Sequence, residues 1–237
     1  MYTARPARVP RVGGKGEARY HYAVPVVPYL LIAVLGYVLG GIPTAYIAGR
    51  LRGVDIRCHG SGNVGGTNAL RVLGWKVGIA VMTVDVAKGY VAAGVLPHLP
   101  FLEGTLVYLG LCGGLGAVVG HVYSPYLRFR GGKGVASAAG VLLALAPLPT
   151  AIAVGVFFLL AFGTGIVSVG SLGAAAALPV AAFLLHLFAG ITLHPAVGVV
   201  IVGLVSFVIY THRLNIRRLI SGTENRFRRF WERRAEE

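Results

Sequence analysis

Negative charge is scarce in this chain. Eight Asp and Glu stand against 22 Lys and Arg across 237 residues, a formal net charge of +14. Charged residues of both signs make up 13%, about half the usual share of a soluble domain. With 56% hydrophobic residues and a mean hydropathy of +0.74, that shortage excludes an ordinary soluble domain and places the chain among integral membrane proteins. Cysteine is nearly absent. Cys58 and Cys112 form no CxxC, so no disulfide framework is implied. Aromatic residues sit inside apolar runs and not between basic residues, which argues against nucleic acid and for anionic lipid headgroups and phosphorylated substrates. Several catalytic signatures are also missing. There is no HExxH or other zinc spacing and no GxSxG. The His-x4-Asp pair of soluble acyltransferases is absent; His98 and Glu103 have that spacing with Glu, on the predicted outer face.

Long apolar runs take the place of charge. Seven are read as spans, over residues 26–49, 75–96, 105–123, 134–146, 150–162, 168–189 and 195–210. The fourth and fifth are short for a core of about 30 Å and could form one broken or re-entrant pair. The expected fold is an all-α integral membrane protein, a seven-helix bundle with short or re-entrant helices and Gly-rich cytoplasmic loops. Residues 1–25 hold Arg5, Arg8, Arg11, Lys15 and Arg19 with little periodicity, and read as a disordered basic leader. Residues 26–225 read as the membrane domain and 226–237 as a charged tail.

Cations alternate between loops. Arg50, Arg52, Arg57, Arg71 and Lys76 lie between spans 1 and 2, and Arg128, Arg130 and Lys133 between spans 3 and 4. Eight arginines follow span 7. The intervening loops, around 97–104, 147–149 and 190–194, carry no Lys or Arg. The positive-inside rule puts the basic segments in the cytoplasm and the N-terminus outside, against the pull of the leader.

Three polar segments therefore emerge on one face. The first is His59-Gly60-Ser61-Gly62-Asn63-Val64-Gly65-Gly66-Thr67-Asn68, with Arg71 beyond. Its glycines let backbone amides converge on an anion, with Ser61 and Arg71 as side-chain ligands. The second, Arg130-Gly131-Gly132-Lys133-Gly134, opens an apolar helix, where anions are favoured. It is not a Walker A, because residue 127 is Leu and no Ser or Thr follows Lys133. Taken alone it reads equally well as a positive anchor at a span end. In the third, His212 and Asn215 share a face if the helix continues. His212 could hold phosphate or move a proton, although an interfacial His is the simpler reading of that residue alone. Asp85 and Lys88, at i,i+3 inside span 2, read as a structural ion pair. Gly40-Gly41-Ile42-Pro43 kinks span 1. The glycines and alanines of the spans are read as helix-packing residues.

In combination these motifs resemble a known family. Gly41-Ile42-Pro43-Thr44-Ala45-Tyr46, the segment from Gly60 to Arg71, Asp85-Val86-Ala87-Lys88-Gly89, Gly120-His121, Arg130 to Ala136, and His212-Arg213-Leu214-Asn215-Ile216 with Gly222 and Glu224 occur in order. Over residues 28–226 they are similar to the bacterial acyl-phosphate:glycerol-3-phosphate acyltransferases, the PlsY family. Gly41 and Gly66 depart from the Gly-Ser-Ile-Pro and Gly-Ala-Thr-Asn common in members. The resemblance implies a seven-helix inner-membrane enzyme at the first step of phospholipid synthesis. It implies acyl phosphate and glycerol 3-phosphate as substrates, membrane lipid as surroundings, and the soluble enzyme that makes acyl phosphate as a partner. It carries over Ser61, Arg71, Lys133, His212 and Asn215 as the polar site residues.

Gly60, Gly62, Asn63, Gly65, Thr67, Asn68, Gly131, Gly132 and Gly134 are expected to bind substrate through their loops. Arg71 and Lys133 are expected to grip the glycerol 3-phosphate. The donor is already activated, so no cofactor and no metal is expected. The base is either His212 or the donor's own phosphate. A transporter for a phosphorylated organic anion would also use broken helices. It would need polar residues on both faces, and the outer loops carry only His98, Glu103 and His194.

Overall fold

The computed structural model describes residues 26–226. The leader expected over 1–25 and residues 227–237 of the tail lie outside the described residues. Among the described residues all regular structure is helical: α1 Val26–Gly41, α2 Thr44–Arg50, α3 Gly66–Leu73, α4 Trp75–Tyr90, α5 Leu106–Val122, α6 Val135–Leu145, α7 Pro147–Thr164, α8 Val167–Ala189, α9 Pro195–Thr211 and α10 Arg213–Ile220. A π-helical turn, Val91–Val95, prolongs α4.

Glycine sets the closest helix pairs. A Cβ on Gly36 or Gly40 of α1 would run into the backbone of Gly113 or Ala117 on α5. One on Gly116 or Gly120 would run into Ala33 or Tyr37 in return. The α4–α6 pair repeats the device, with Gly89 against Ser137 and Gly140 against Val86. In hydrocarbon, where apolar burial between helices gains little, such close backbone approach supplies the packing.

The expectation of seven spans is met in part. Five described helical segments are long and apolar enough to cross a membrane, and a sixth is reached if α9 and α10, bent by 58° at His212, count as one. The remaining apolar helix, α6, has eleven residues and is about 17 Å long, well short of a core of about 30 Å. It starts at Gly134 in the left-handed region and stops at Ala146 before Pro147. The fifth run is longer than its sequence suggests: α7 takes in Pro147 and Pro149 in its first turn, where their missing N–H groups cost nothing.

The Gly-Ile-Pro break separates α1 from α2 and frees carbonyls. Lys88 Nζ donates to Ile42 O at 3.0 Å, and Ser124 Oγ to Gly41 O at 2.6 Å. Asp85 accepts from Thr44 Oγ1 at 2.9 Å and pairs with Lys88 at 2.8 Å. Asp85 and Lys88 form a buried ion pair that closes the broken backbone of span 1, and Asp85 also reaches the wall of the main cavity. One apolar cluster, with Ile56, Val64, Ala69, Val81 and Leu127, seats the 51–65 loop and α3 on the helices below. Another, with Leu142, Ala153, Leu178, Ile201 and Leu204, joins α6, α7, α8 and α9.

Candidate active site

The first polar segment is held by one side chain. Asn68 is 1% exposed. Its Oδ1 accepts from Ser61 N at 2.9 Å, and its Nδ2 donates to Ile56 O at 3.1 Å and His59 O at 3.0 Å. Those bonds spend the amide group, so Asn68 shapes the loop and has little left for a substrate. Gly60 and Gly62 take φ of +60° and +69°, which only glycine adopts without strain. Gly60 packs against Asn68 and stays out of the cavity described below, whereas Ser61, Gly62, Asn63, Gly65 and Thr67 line it. α3 starts at Gly66 without a side-chain cap, and its first amides have no partner within the helix. Arg71, in the last turn of α3, makes a single long bond to Asn225 O, at 3.4 Å. Burial lowers its pKa.

The second segment departs from a phosphate-cradling loop. Arg128 and Phe129 have φ of +52° and +61° and fold the chain back onto the last turn of α5. Gly131 N then donates to Val122 O at 2.9 Å and Gly132 N to His121 O at 3.0 Å. A Cβ on either glycine would strike His121. The amides of Gly131 and Gly132 are thus occupied within the protein, and neither residue lines the main cavity. Gly134, at φ +82°, does line it and starts α6. Between them Lys133 is fixed at both ends. Thr211 Oγ1 donates to its carbonyl at 3.2 Å, and its Nζ donates to Asn215 Oδ1.

The third segment completes a charged cluster. The helix does not continue past His212 as a straight rod, yet His212 and Asn215 are both buried and both face the cavity. His212 Nδ1 donates to Val208 O at 2.8 Å. A carbonyl only accepts, so Nδ1 carries the proton and Nε2 keeps its lone pair. Asn215 Nδ2 donates to Glu224 Oε1. Glu224 also accepts from Ser168 Oγ at 3.0 Å and Arg218 Nε at 2.7 Å. Burial alone would raise its pKa, but the bonds from Arg218, Asn215 and Ser168 hold it below the ordinary value. Lys133 goes the other way. Burial draws it down to about 8, with Arg218 and Arg71 adding to the pull against Glu224.

Glu224, Arg218 and Ser168 were not among the sequence-predicted site residues. A signal was available for Glu224. Only Asp55, Asp85, Glu103 and Glu224 are acidic between residues 26 and 226. Asp55, Asp85 and Glu224 each pair with an Arg or Lys, and Glu103 stands apart from them in a loop without cations.

Buried Ser137, His121 and Asp85 also meet, at 3.2 and 3.6 Å. Both partners approach the same His121 nitrogen, so the three cannot relay a proton in the manner of a Ser-His-Asp triad. Among the described residues no group of three His, Cys, Asp or Glu side chains is arranged to hold a metal.

One cavity of about 540 Å³ unites these parts. Its head is lined by Ser61, Asn63, Thr67, Arg71, Lys133, His212, Asn215, Arg218 and Glu224. Its other end is an apolar arm between α6, α7, α8 and α9, reaching Leu142, Ala153, Leu178 and Leu204. A cationic head joined to an apolar arm inside a helical membrane bundle defines a class, the membrane enzymes that act on anionic, acyl-bearing substrates.

The comparison with known proteins narrows the class. The family model described as Glycerol-3-phosphate acyltransferase matches residues 30–222, and the chain belongs to that family. Glycerol-3-phosphate acyltransferases of Chlorobaculum parvum and Chlorobaculum tepidum are 43% and 42% identical to it over 224 residues, covering 84% of this chain and 96% of each relative. The crystal structure of PlsY (YgiH), an integral membrane glycerol 3-phosphate acyltransferase, in its glycerol 3-phosphate form matches with a TM-score of 0.74 at 34% identity, covering 84% of this chain and 96% of that one. Its lysophosphatidic acid form matches at 0.72, also at 34% identity, covering 84% and 95%. The protein is a multi-pass membrane acyltransferase.

Proposed function

We propose that this protein moves an acyl group from acyl phosphate to the sn-1 hydroxyl of glycerol 3-phosphate, giving lysophosphatidate and inorganic phosphate. The observation that carries the reading is the single cavity with a cationic head and an apolar arm. Two phosphates fit the head by charge, and the acyl chain fits the arm by polarity. The PlsY structures support the substrate class, one being a glycerol 3-phosphate form and the other a lysophosphatidic acid form.

Arg71 and Lys133 hold the phosphate of glycerol 3-phosphate. Ser61, the first amides of α3 and Asn63 hold the donor's phosphate. Glu224 and Asn215 orient Lys133, and Arg218 balances the charge of Glu224. The glycerol oxygen attacks the acyl carbon, the bond from that carbon to the phosphate oxygen breaks, and phosphate leaves with the electron pair. The hydroxyl proton goes to His212 Nε2 or to the departing phosphate. Holding hydroxyl and carbonyl at about 3 Å accounts for much of the rate. No cofactor enters, because the mixed anhydride is already activated.

The distribution of cations supports a head open to the cytoplasm in a bacterial inner membrane. Residues 26–225 act as one domain. It crosses seven times if α6 and the bent α9–α10 pair are both counted. A transporter would need a path through the bundle, and the apolar arm ends against buried side chains.

The test is purified protein with labelled glycerol 3-phosphate and three donors, acyl phosphate, acyl-CoA and acyl-carrier protein. Lysophosphatidate from acyl phosphate alone is expected. Product from either thioester and none from acyl phosphate overturns the donor assignment.

A further inference from the structure

The apolar arm has a closed end. Leu142, Thr150, Ala153, Leu178 and Leu204 line the cavity there and are at most 5% exposed. Beyond them Ala146, Val197 and Ile201 pack solidly. Thr150 spends its hydroxyl on Ala146 O at 2.7 Å, so the floor offers no free polar group. Halfway along, Phe158 also lines the arm and is half exposed. The arm is therefore walled on its side more loosely than at its end.

We propose that this floor sets the length to which the donor's acyl chain is read. The inference rests on the acyl-transfer reading above. On α8, ten residues separate Ser168, which touches Glu224, from Leu178. On α9, eight separate Leu204 from His212. At 1.5 Å per residue these are about 15 and 12 Å. An extended chain advances about 1.2 Å per bond, so the floor is reached after about ten to thirteen carbons. Each methylene up to that point leaves water or detergent for the arm and gains about fourfold in kcat/KM. Methylenes beyond it gain nothing inside the arm.

The experiment measures kcat/KM for saturated acyl phosphates of 8 to 18 carbons with wild-type protein, Leu178→Ala and Ala153→Leu. Each protein is its own reference, because the quantity read is the ratio between chain lengths in one preparation. Loss of folded protein cancels from that ratio. In wild type, kcat/KM rises with length and stops rising between about 10 and 14 carbons. Leu178→Ala deepens the floor and moves the break about two carbons longer. Ala153→Leu raises the floor and moves it about two carbons shorter, lowering the ratio of 16- to 8-carbon donors about fifteenfold. Break points that coincide in all three proteins, or a wild-type profile that climbs smoothly to 18 carbons, overturn the floor. A wild-type protein that makes no lysophosphatidate from any donor overturns the acyl-transfer reading instead.

Discussion

Two clusters of charge lie within this bundle, and they are built differently. In the first, every charge is spent. Asp85 answers Lys88 and Thr44, Lys88 answers the freed carbonyl of Ile42, and both side chains are at most 5% exposed. In the second, Lys133, Asn215, Glu224 and Arg218 answer one another, but Arg71 is left with one long bond; Asp85 reaches the wall of the same cavity, yet only the second cluster brings an under-used cation to it. A buried charge is costly in both places. The first cluster offsets that cost by repairing a broken helix. The second leaves cations under-used where an anion can complete them, and that surplus separates a site from a strut.

Breaking each cluster should therefore damage a different property. Lys133→Met gives the largest effect, because it removes a cation from the head without adding bulk. It should lower kcat/KM by about a thousandfold or more, with Tm nearly unchanged in the same detergent. Asp85→Asn should reverse the pattern. It leaves Lys88 buried without its counter-charge and should cost about 3 kcal/mol of stability, read as a fall in Tm, while activity per folded molecule stays within a few-fold. If Asp85→Asn abolishes turnover in fully folded protein, the two clusters are not separate. Glu224→Gln keeps the shape of the head and removes the anion facing Lys133 and Arg218. A loss of about a hundredfold in kcat/KM is expected, measured as lysophosphatidate released.

The smallest effect is the pH dependence of the second cluster. Lys133 titrates near 8 in the fold against its ordinary 10.5. Only the ammonium holds a phosphate well, so kcat/KM for glycerol 3-phosphate should fall as pH rises through about 8. Stability moves the opposite way. The unfolded chain keeps its proton up to 10.5, binds more protons than the fold between 8 and 10.5, and so loses stability relative to the fold as pH rises through that window. Lys133→Arg should remove the fall in kcat/KM above pH 8. A fall that persists in that variant assigns it to another group.

Much of this was legible in the sequence. Hydropathy located each apolar helix, and the i,i+3 spacing of Asp85 and Lys88 announced their pairing. The glycines of α1 and α5 do pack those helices. Loop glycines were harder. Composition cannot tell Gly62, which lines the cavity, from Gly131 and Gly132, whose amides are taken by the end of α5. That difference depends on the left-handed pair Arg128–Phe129, and neither residue type predicts such a turn. Asn68 reads as a ligand by type but is consumed by its own loop, a tertiary fact. The shortness of α6 and the bend at His212 likewise come from packing and not from hydropathy. Glu224 lies in a turn beyond α10, and only folding brings it to Ser168.

The account stands on the second cluster being the place where glycerol 3-phosphate binds. Calorimetric titration of glycerol 3-phosphate into purified wild-type and Lys133→Met protein, matched in Tm, tests this most directly. Saturable binding that weakens at least a hundredfold in the variant is the predicted result. Equal affinity in the two proteins would contradict it.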